Sequence, residues 1–427
     1  MNEEPKIKKI WRVRILTTTW LSYAGFYFCR KNYAIVKSSI QERMGLDELQ
    51  LAHIFTAYLV AYMLGQFLTS YLGRKVATRI LLLSGMGITF LANVVFGFSY
   101  LRGPSTYYLF ITFMIINGFA QATGWPGNIG VLSNWLNQKE RGQIMAVWAT
   151  SYQLGSIFAK SFAAMMLGLF GVLWSFWGAS IIMFLVWIIF YFMEKDKPED
   201  AGMEPLIEEV EIEASDAADV RQSGIFAGWT SNVIFTVIFM GTVYFVFKFL
   251  RYSLDSWSPM AIENLFNIEK QNAGYISTLF DWVGFGGVLF AGWASDKFFK
   301  GKRHQIILYM TIGMLLAFLF MYLVGIKSLV LFGISLAICG FMVMGPDSLL
   351  AGVGAIDVGG KSGAIVAAGI INGLGSIGPI FQEEIIGWIL KEYGFQKTFQ
   401  LLVAICILGI IGTGYLSYRS RKGLSNL

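Results

Sequence analysis

Two arginines, Arg30 and Arg251, stand inside stretches that otherwise read as membrane spans, Phe26–Ile35 (FYFCRKNYAI) and Phe245–Ser258 (FVFKFLRYSLDSWS). An ionisable side chain at the bilayer centre costs about 2.5–3.5 kcal/mol on insertion scales, so such a residue marks a functional site by default. A guanidinium keeps its charge at any accessible pH and offers a planar fork to oxyanion oxygens, a geometry that lysine lacks. Two of them, 221 positions apart, point to a carrier of anions. The competing reading is that both snorkel toward the headgroups, since Arg30 lies 16 residues beyond Arg14, roughly 24 Å along an ideal helix.

The elements that must hold these residues follow from composition. With 56% hydrophobic, 16% aromatic and 14% charged residues in a chain of 427, the apolar runs are too long and the charges too few for a soluble globule. About 20 apolar residues cross the hydrocarbon. Twelve such spans are expected, near 13–36, 51–72, 79–99, 107–132, 143–168, 172–193, 229–254, 271–293, 305–324, 328–348, 362–389 and 397–417. The fold class is therefore an all-α membrane protein of twelve transmembrane helices. Lys6, Lys8, Lys9, Arg12, Arg14, Arg74, Lys75, Arg79, Lys139, Arg141, Lys297, Lys300, Lys302, Arg303, Lys361, Arg419, Arg421 and Lys422 fall on one side. By the positive-inside rule that side, with both termini, is cytoplasmic. This bias accounts for the net charge of +6 without nucleic-acid binding. The first apolar run is too long for a cleavable signal and lacks a cleavage site.

Residues 194–224 carry eleven acidic and three basic residues and read as a solvated, mobile tether. They divide the chain into 1–193, a linker at 194–228, and 229–427. Cys29, Cys339 and Cys406 fall inside spans without paired spacing and read as small packing residues. His53 and His304 stand alone near helix ends. No metal cluster, phosphate loop or nucleophile elbow is visible, so neither an enzyme nor a cofactor is expected.

The halves repeat. Tyr152–Ile157 (YQLGSI) matches Asn372–Ile377 (NGLGSI) at an offset of 220, and Ser70–Lys75 corresponds to Gly292–Lys297 at 222, although the first copy lacks the acid that Asp296 supplies. Two six-helix halves related by an axis along the membrane normal are a transporter plan with the substrate near the midplane. GWASDKFFKGKR (Gly292–Arg303) is similar to a signature of the major facilitator superfamily. YFCRKNYAIVKSSI (Tyr27–Ile40), GFAQATGWPGNIGVLSNWLNQKERG (Gly118–Gly142) and FLRYSLDSWSP (Phe249–Pro259) resemble its organophosphate:phosphate antiporters, and the resemblance covers essentially the whole chain.

That resemblance implies two pseudo-symmetric six-helix bundles in which Arg30 and Arg251 match the arginines that clamp the substrate phosphate. Tyr23, Tyr27 and Tyr62 match aromatic positions of the site. Tyr27 and Tyr23 lie three and seven residues before Arg30, and Lys248 three before Arg251, on shared helix faces. Lys31 follows Arg30 and points about 100° away. Two departures remove positive or titratable groups: Gln66 stands where bacterial members carry lysine, and Tyr152 where the glycerol-phosphate type carries histidine. Lys248 or Lys160 is placed to restore charge. Asp281 matches an acidic position and either pairs with Arg251 or Lys248 when the site is empty or is a structural partner. Glu383 and Glu384 are expected to neutralise Lys160. Asn117, Gln121, Gln153 and Asn372 either bond sugar hydroxyls or tie helices together. Trp125 either stacks on substrate or, with Pro126, shapes the fourth span.

The expected function is exchange of an organophosphate, such as hexose 6-phosphate, for inorganic phosphate by alternating access. Two rivals are a membrane sugar-phosphate sensor of the same fold and a facilitator for a non-phosphate organic anion. The expected partners are the phosphorylated anion, inorganic phosphate and the lipid bilayer, with no nucleic acid. The chain is expected to work as a monomer in the cell inner membrane.

Overall fold

The computed structural model describes residues 6–73, 75–136, 144–145, 147–204, 229–425 and 427. Among them the regular elements are helices and short 3-10 turns only. We number the helices α1 (Lys6–Met44), α2 (Glu48–Leu72), α3 (Thr78–Arg102), α4 (Tyr107–Gln121), α5 (Gly124–Trp135), α6 (Thr150–Phe170), α7 (Val172–Met193), α8 (Ser231–Phe266), α9 (Lys270–Ser277), α10 (Leu279–Lys297), α11 (Arg303–Leu323), α12 (Leu329–Ala351) and α13 (Val353–Arg421). All-helical structure is what a bilayer demands, because every backbone N–H and C=O must be satisfied within its own segment.

Among the described residues, nine helical stretches are long and apolar enough to cross a membrane. The other expected spans enter the helices in altered form. The fourth is broken into α4 and α5. Pro126, which lacks an N–H, follows the break, and Thr123 N–H turns back to the Ala120 carbonyl in a tighter turn. The eleventh and twelfth expected spans lie within α13, which carries Gly394 at φ +75° between them. Only glycine adopts that left-handed conformation without strain. The first span lies inside a 39-residue α1 whose first turns are charged.

The chain folds into two compact units, one of Met1–Asp47, His53–Glu209 and Lys270–Tyr275, the other of Glu48–Ala52, Val210–Glu269 and Ile276–Leu427. In the first unit, glycines let helices approach at backbone distance, as is common where lipid supplies no hydrophobic drive between helices. A Cβ on Gly118 of α4 would lie 2.5 Å from the Tyr58 carbonyl oxygen of α2. One on Gly155 of α6 would lie 2.9 Å from Ala24 Cα of α1. The α2–α4 approach brings Tyr58 beside Gln121. In the second unit, a Cβ on Gly378 of α13 would lie 2.5 Å from the Phe245 carbonyl oxygen of α8, which sets the NGLGSI segment against the face carrying Lys248. Within GWASDKFFKGKR, Arg303 donates to Ser295 Oγ at 2.8 Å and pairs with Asp296 of the same segment and with Asp357 of α13. Cys29, Cys339 and Cys406 are buried, free thiols.

The linker departs from its expected solvation. Residues 205–228 and the ERG of Glu140–Gly142 lie outside the described residues, as do Arg74, Lys139 and Arg141. Residues 194–204, however, are docked on the first unit. Trp135 Nε1 donates to the Lys195 carbonyl at 2.9 Å, Asn134 Nδ2 to the Asp196 carbonyl at 3.0 Å, and the Arg79 N–H to Asp196 Oδ1 at 2.8 Å. Acidic composition argues for solvation, but α3 and α5 present donors that capture the backbone where α7 ends.

Glu194 is fully buried here, with Arg79 Nε 3.4 Å from its Oε2 and no hydrogen bond to either oxygen. Burial, reinforced by Asp196 and Asp200 and opposed by Arg79 and Lys195, pushes its carboxyl up to about 8. Desolvation outweighs the single imperfectly aligned cation. The folded state thus holds the proton more tightly than the unfolded chain does. Its stabilising contribution is full in mild acid and is lost as pH rises toward 8. Glu194→Gln, which fixes the neutral form, is expected to raise stability at pH 8 by on the order of 2 kcal/mol and leave it nearly unchanged at pH 5. Thermal unfolding in detergent across that range measures this, and a gain of equal size at both pH values would contradict it.

Candidate functional site

In the first unit the site is built on α1, α2 and α4. Arg30 Nε donates to Gln121 Oε1 at 2.9 Å, and Tyr58 Oη donates to the same oxygen at 3.0 Å. Gln121 is fixed in turn, its Nε2 donating to the Cys29 carbonyl at 3.2 Å and to Asn117 Oδ1 at 3.2 Å. The guanidinium carbon lies 4.7 Å from the ring centre of Tyr62, 4.8 Å from that of Tyr27 and 5.8 Å from that of Tyr58. Each such contact is worth about 0.5–2 kcal/mol and holds the cation without neutralising it. Arg30 Nη2 is buried and has no hydrogen-bond partner. Buried polar atoms are nearly always satisfied, so this donor calls for an acceptor that the side chains do not provide.

Around this centre the rings of Tyr23, Tyr27, Trp125 and Trp148 pack edge-on or stacked at 5.3–5.7 Å. Trp148 Nε1 donates to Thr19 Oγ1 at 3.2 Å, and Tyr152 is half-buried against the same cluster. Trp125 is 37% exposed, leaving part of its indole open, while the helix break that precedes Pro126 shows the pair also shaping the fourth span. Gln66, one turn beyond Tyr62 on α2, is half-buried. Lys31 lies largely buried, 5.8 Å from the Tyr27 ring.

In the second unit the site is built on α8, α12 and α13. Arg251 Nη1 pairs with Asp347 Oδ2 at 2.9 Å. Lys248, one turn earlier on α8, turns to α13: its Nζ donates to Ser376 Oγ at 3.1 Å and reaches Asn372 Oδ1 at 3.5 Å, 4.9 Å from the Tyr244 ring centre. Asp281, offered by the sequence as a partner for these cations, is buried at the start of α10. Arg251 is bonded to an acid that the sequence reading did not name, Asp347 of α12. Glu383 is fully buried and accepts from Ser256 Oγ and Trp257 Nε1, each at 3.0 Å.

Arg30 and Arg251 therefore sit among polar and aromatic side chains, against the snorkelling alternative. Tyr27 and Tyr62 join Arg30 directly, while Tyr23, Trp125 and Tyr152 form a layer beside it. Tyr58, Asp347 and Ser376 were not anticipated. The two arginines differ in charge environment: Arg30 is held by neutral oxygen and ring faces, Arg251 by a carboxylate. Among the described residues no group of three His, Cys, Asp or Glu side chains is arranged to hold a metal ion.

This arrangement can bind an oxyanion, and similarity to known proteins runs the length of the chain. The family model for the Major Facilitator Superfamily matches residues 19–382. A glycerol-3-phosphate transporter of Bacillus subtilis is 27% identical over 410 residues, covering 94% of this chain and 91% of that one. A glucose-6-phosphate exchanger of Xenopus laevis is 29% identical, covering 95% and 84%. The membrane sensor protein UhpC of Escherichia coli is 26% identical, covering 90% and 86%. Among solved structures, an inward-facing bacterial homologue of the lysosomal transporter Spinster superposes with a TM-score of 0.74 at 12% identity, covering 97% of this chain and 98% of that one. A D-xylose–proton symporter gives 0.71 at 14%, covering 94% and 96%. With an all-helical fold and a family match over most of its length, the chain belongs to the Major Facilitator Superfamily.

Proposed function

We propose that this protein is an organophosphate:phosphate antiporter that exchanges a phosphorylated organic anion, such as a hexose 6-phosphate, for inorganic phosphate. The observation that carries the reading is Arg30, a cation held only by neutral groups with a buried donor left over, at a position repeated in the other half by Arg251. The relatives named for glycerol 3-phosphate, hexose phosphate and glucose 6-phosphate support the same substrate class. We assign phosphate binding to Arg30 in the first unit and to Arg251 in the second. Loading couples to reorientation through a difference in the anion's affinity for the carrier's states. In this reading the protein works as a monomer in the inner membrane, and the positive-inside bias supports cytoplasmic termini.

In reconstituted vesicles, uptake of labelled glucose 6-phosphate is expected to require internal phosphate and to be inhibited by external phosphate. Uptake indifferent to phosphate on both sides would assign the cavity to a non-phosphate anion. Likeness to UhpC supports a second reading, a sensor, which predicts saturable binding of glucose 6-phosphate without flux.

A further inference from the structure

The two arginines head a sequence frame that the halves share only in part. Tyr23, Tyr27 and Arg30 recur at a constant offset of 221 as Tyr244, Lys248 and Arg251. In the first unit, the residue three before the arginine is a ring on which the guanidinium rests, at 4.8 Å. In the second it is an ammonium. This exchange introduces a second cation one turn from Arg251, at a spacing where side chains of one helix share a face.

The two cations of α8 nevertheless engage different neighbours. Arg251 turns to Asp347 on α12 at 2.9 Å. Lys248 turns to Ser376 and Asn372 on α13, at 3.1 and 3.5 Å, and both of these hydrogen-bond partners are neutral. Asn372 is exposed and Lys248 and Ser376 are half-buried, so the group is open to a solute. An ammonium flanked by an amide and a hydroxyl, with no carboxylate bonded to it, is a small oxyanion site. Its other members come from α13, whereas Arg251 is paired with Asp347 of α12.

Resting on the phosphate reading of Arg251, we infer that Lys248, Asn372 and Ser376 form a second anion subsite, which selects substrates carrying another negatively charged oxygen group besides the phosphate held at Arg251. Among the phosphorylated anions that the carrier exchanges, the subsite favours a phosphorylated acid or a bisphosphate over the matching sugar or polyol monophosphate. Ser376 and Asn372 supply orientation, and Lys248 the charge that an isosteric neutral group cannot satisfy.

The test uses matched probes in the phosphate-exchange assay: 3-phosphoglycerate against glycerol 3-phosphate, and 6-phosphogluconate against glucose 6-phosphate. In the parent protein the acid of at least one pair is expected to compete about tenfold or more better than its neutral mate, the scale of one charge-assisted contact. Lys248→Tyr, which restores the residue of the first half, and Lys248→Gln should bring that ratio to about one, while Lys248→Arg should keep most of it. A parent ratio near one for both pairs overturns the inference. So does a Lys248→Gln variant that weakens acid and neutral probes by the same factor, since Lys248 would then belong to a single phosphate clamp. Both results leave phosphate exchange itself intact in the parent. Absence of that exchange would instead remove the transport reading and the inference with it.

Discussion

Arg30→Lys and Arg251→Lys are each expected to lower phosphate exchange in vesicles at least about a hundredfold, equivalent to about 2.7 kcal/mol of lost transition-state stabilisation. Charge is conserved, so what fails is geometry. Lysine cannot place two parallel N–H donors on a phosphate edge, and its compact charge is more strongly hydrated. At position 30 the change also removes the Nε bond to Gln121 and the guanidinium's contacts with the Tyr27 and Tyr62 rings, which set where the remaining nitrogens point. At position 251 it leaves an ion pair with Asp347 available, so the loss there isolates fork geometry from neutralisation. Thermal unfolding in detergent separates failure to fold from failure to bind. A well-folded Arg30→Lys or Arg251→Lys that exchanged phosphate at the parental rate would rule out the clamp.

Arg30, Arg251 and Tyr27 were legible because the bilayer makes a charge within an apolar run conspicuous and helical spacing sets its neighbours, whereas Tyr62, on another helix, came from the family resemblance alone. Asp347 carries the same signal and was hidden by a boundary. The tenth span read as 328–348 places it one residue from an end, where charges are cheap, yet α12 continues to Ala351 and leaves Asp347 buried. Tyr58 was hidden differently. A tyrosine in an aromatic-rich helix reads as packing, and its role depends on the α2–α4 approach at Gly118, which is a tertiary fact. The start of the linker was misjudged because composition reports the cost of solvation and not the donors that Arg79, Asn134 and Trp135 offer to one segment of backbone. The break between α4 and α5 was foreshadowed by Pro126, but an apolar window running through residues 107–132 could not place it.

Asp347→Asn should shift two properties in opposite directions. Asp347 is a counter-ion of Arg251 at 2.9 Å, with side-chain exposures of 7% and 21%. Removing one member of a pair this well buried costs on the order of 3 kcal/mol, because the other charge loses its bonded carboxylate. Unliganded Asp347→Asn should therefore unfold several degrees below the parent. A phosphate at Arg251 has to compete with Asp347 for the same guanidinium and approach its negative charge. At a separation of about 4 Å and an effective dielectric near 20, such a charge costs a dianion several kcal/mol before screening. The variant should thus bind inorganic phosphate ten- to a hundredfold more tightly, and saturating phosphate should return most of the lost thermal stability. Tighter binding of the ground state slows release, so maximal exchange should fall even as half-saturation drops. If Asp347 instead serves only to hold Arg251 in position, asparagine would weaken phosphate binding and phosphate would restore no more stability than it adds to the parent. The direction of the affinity change decides whether this carboxylate is a stand-in for substrate in the empty carrier or a fixed support for the arginine.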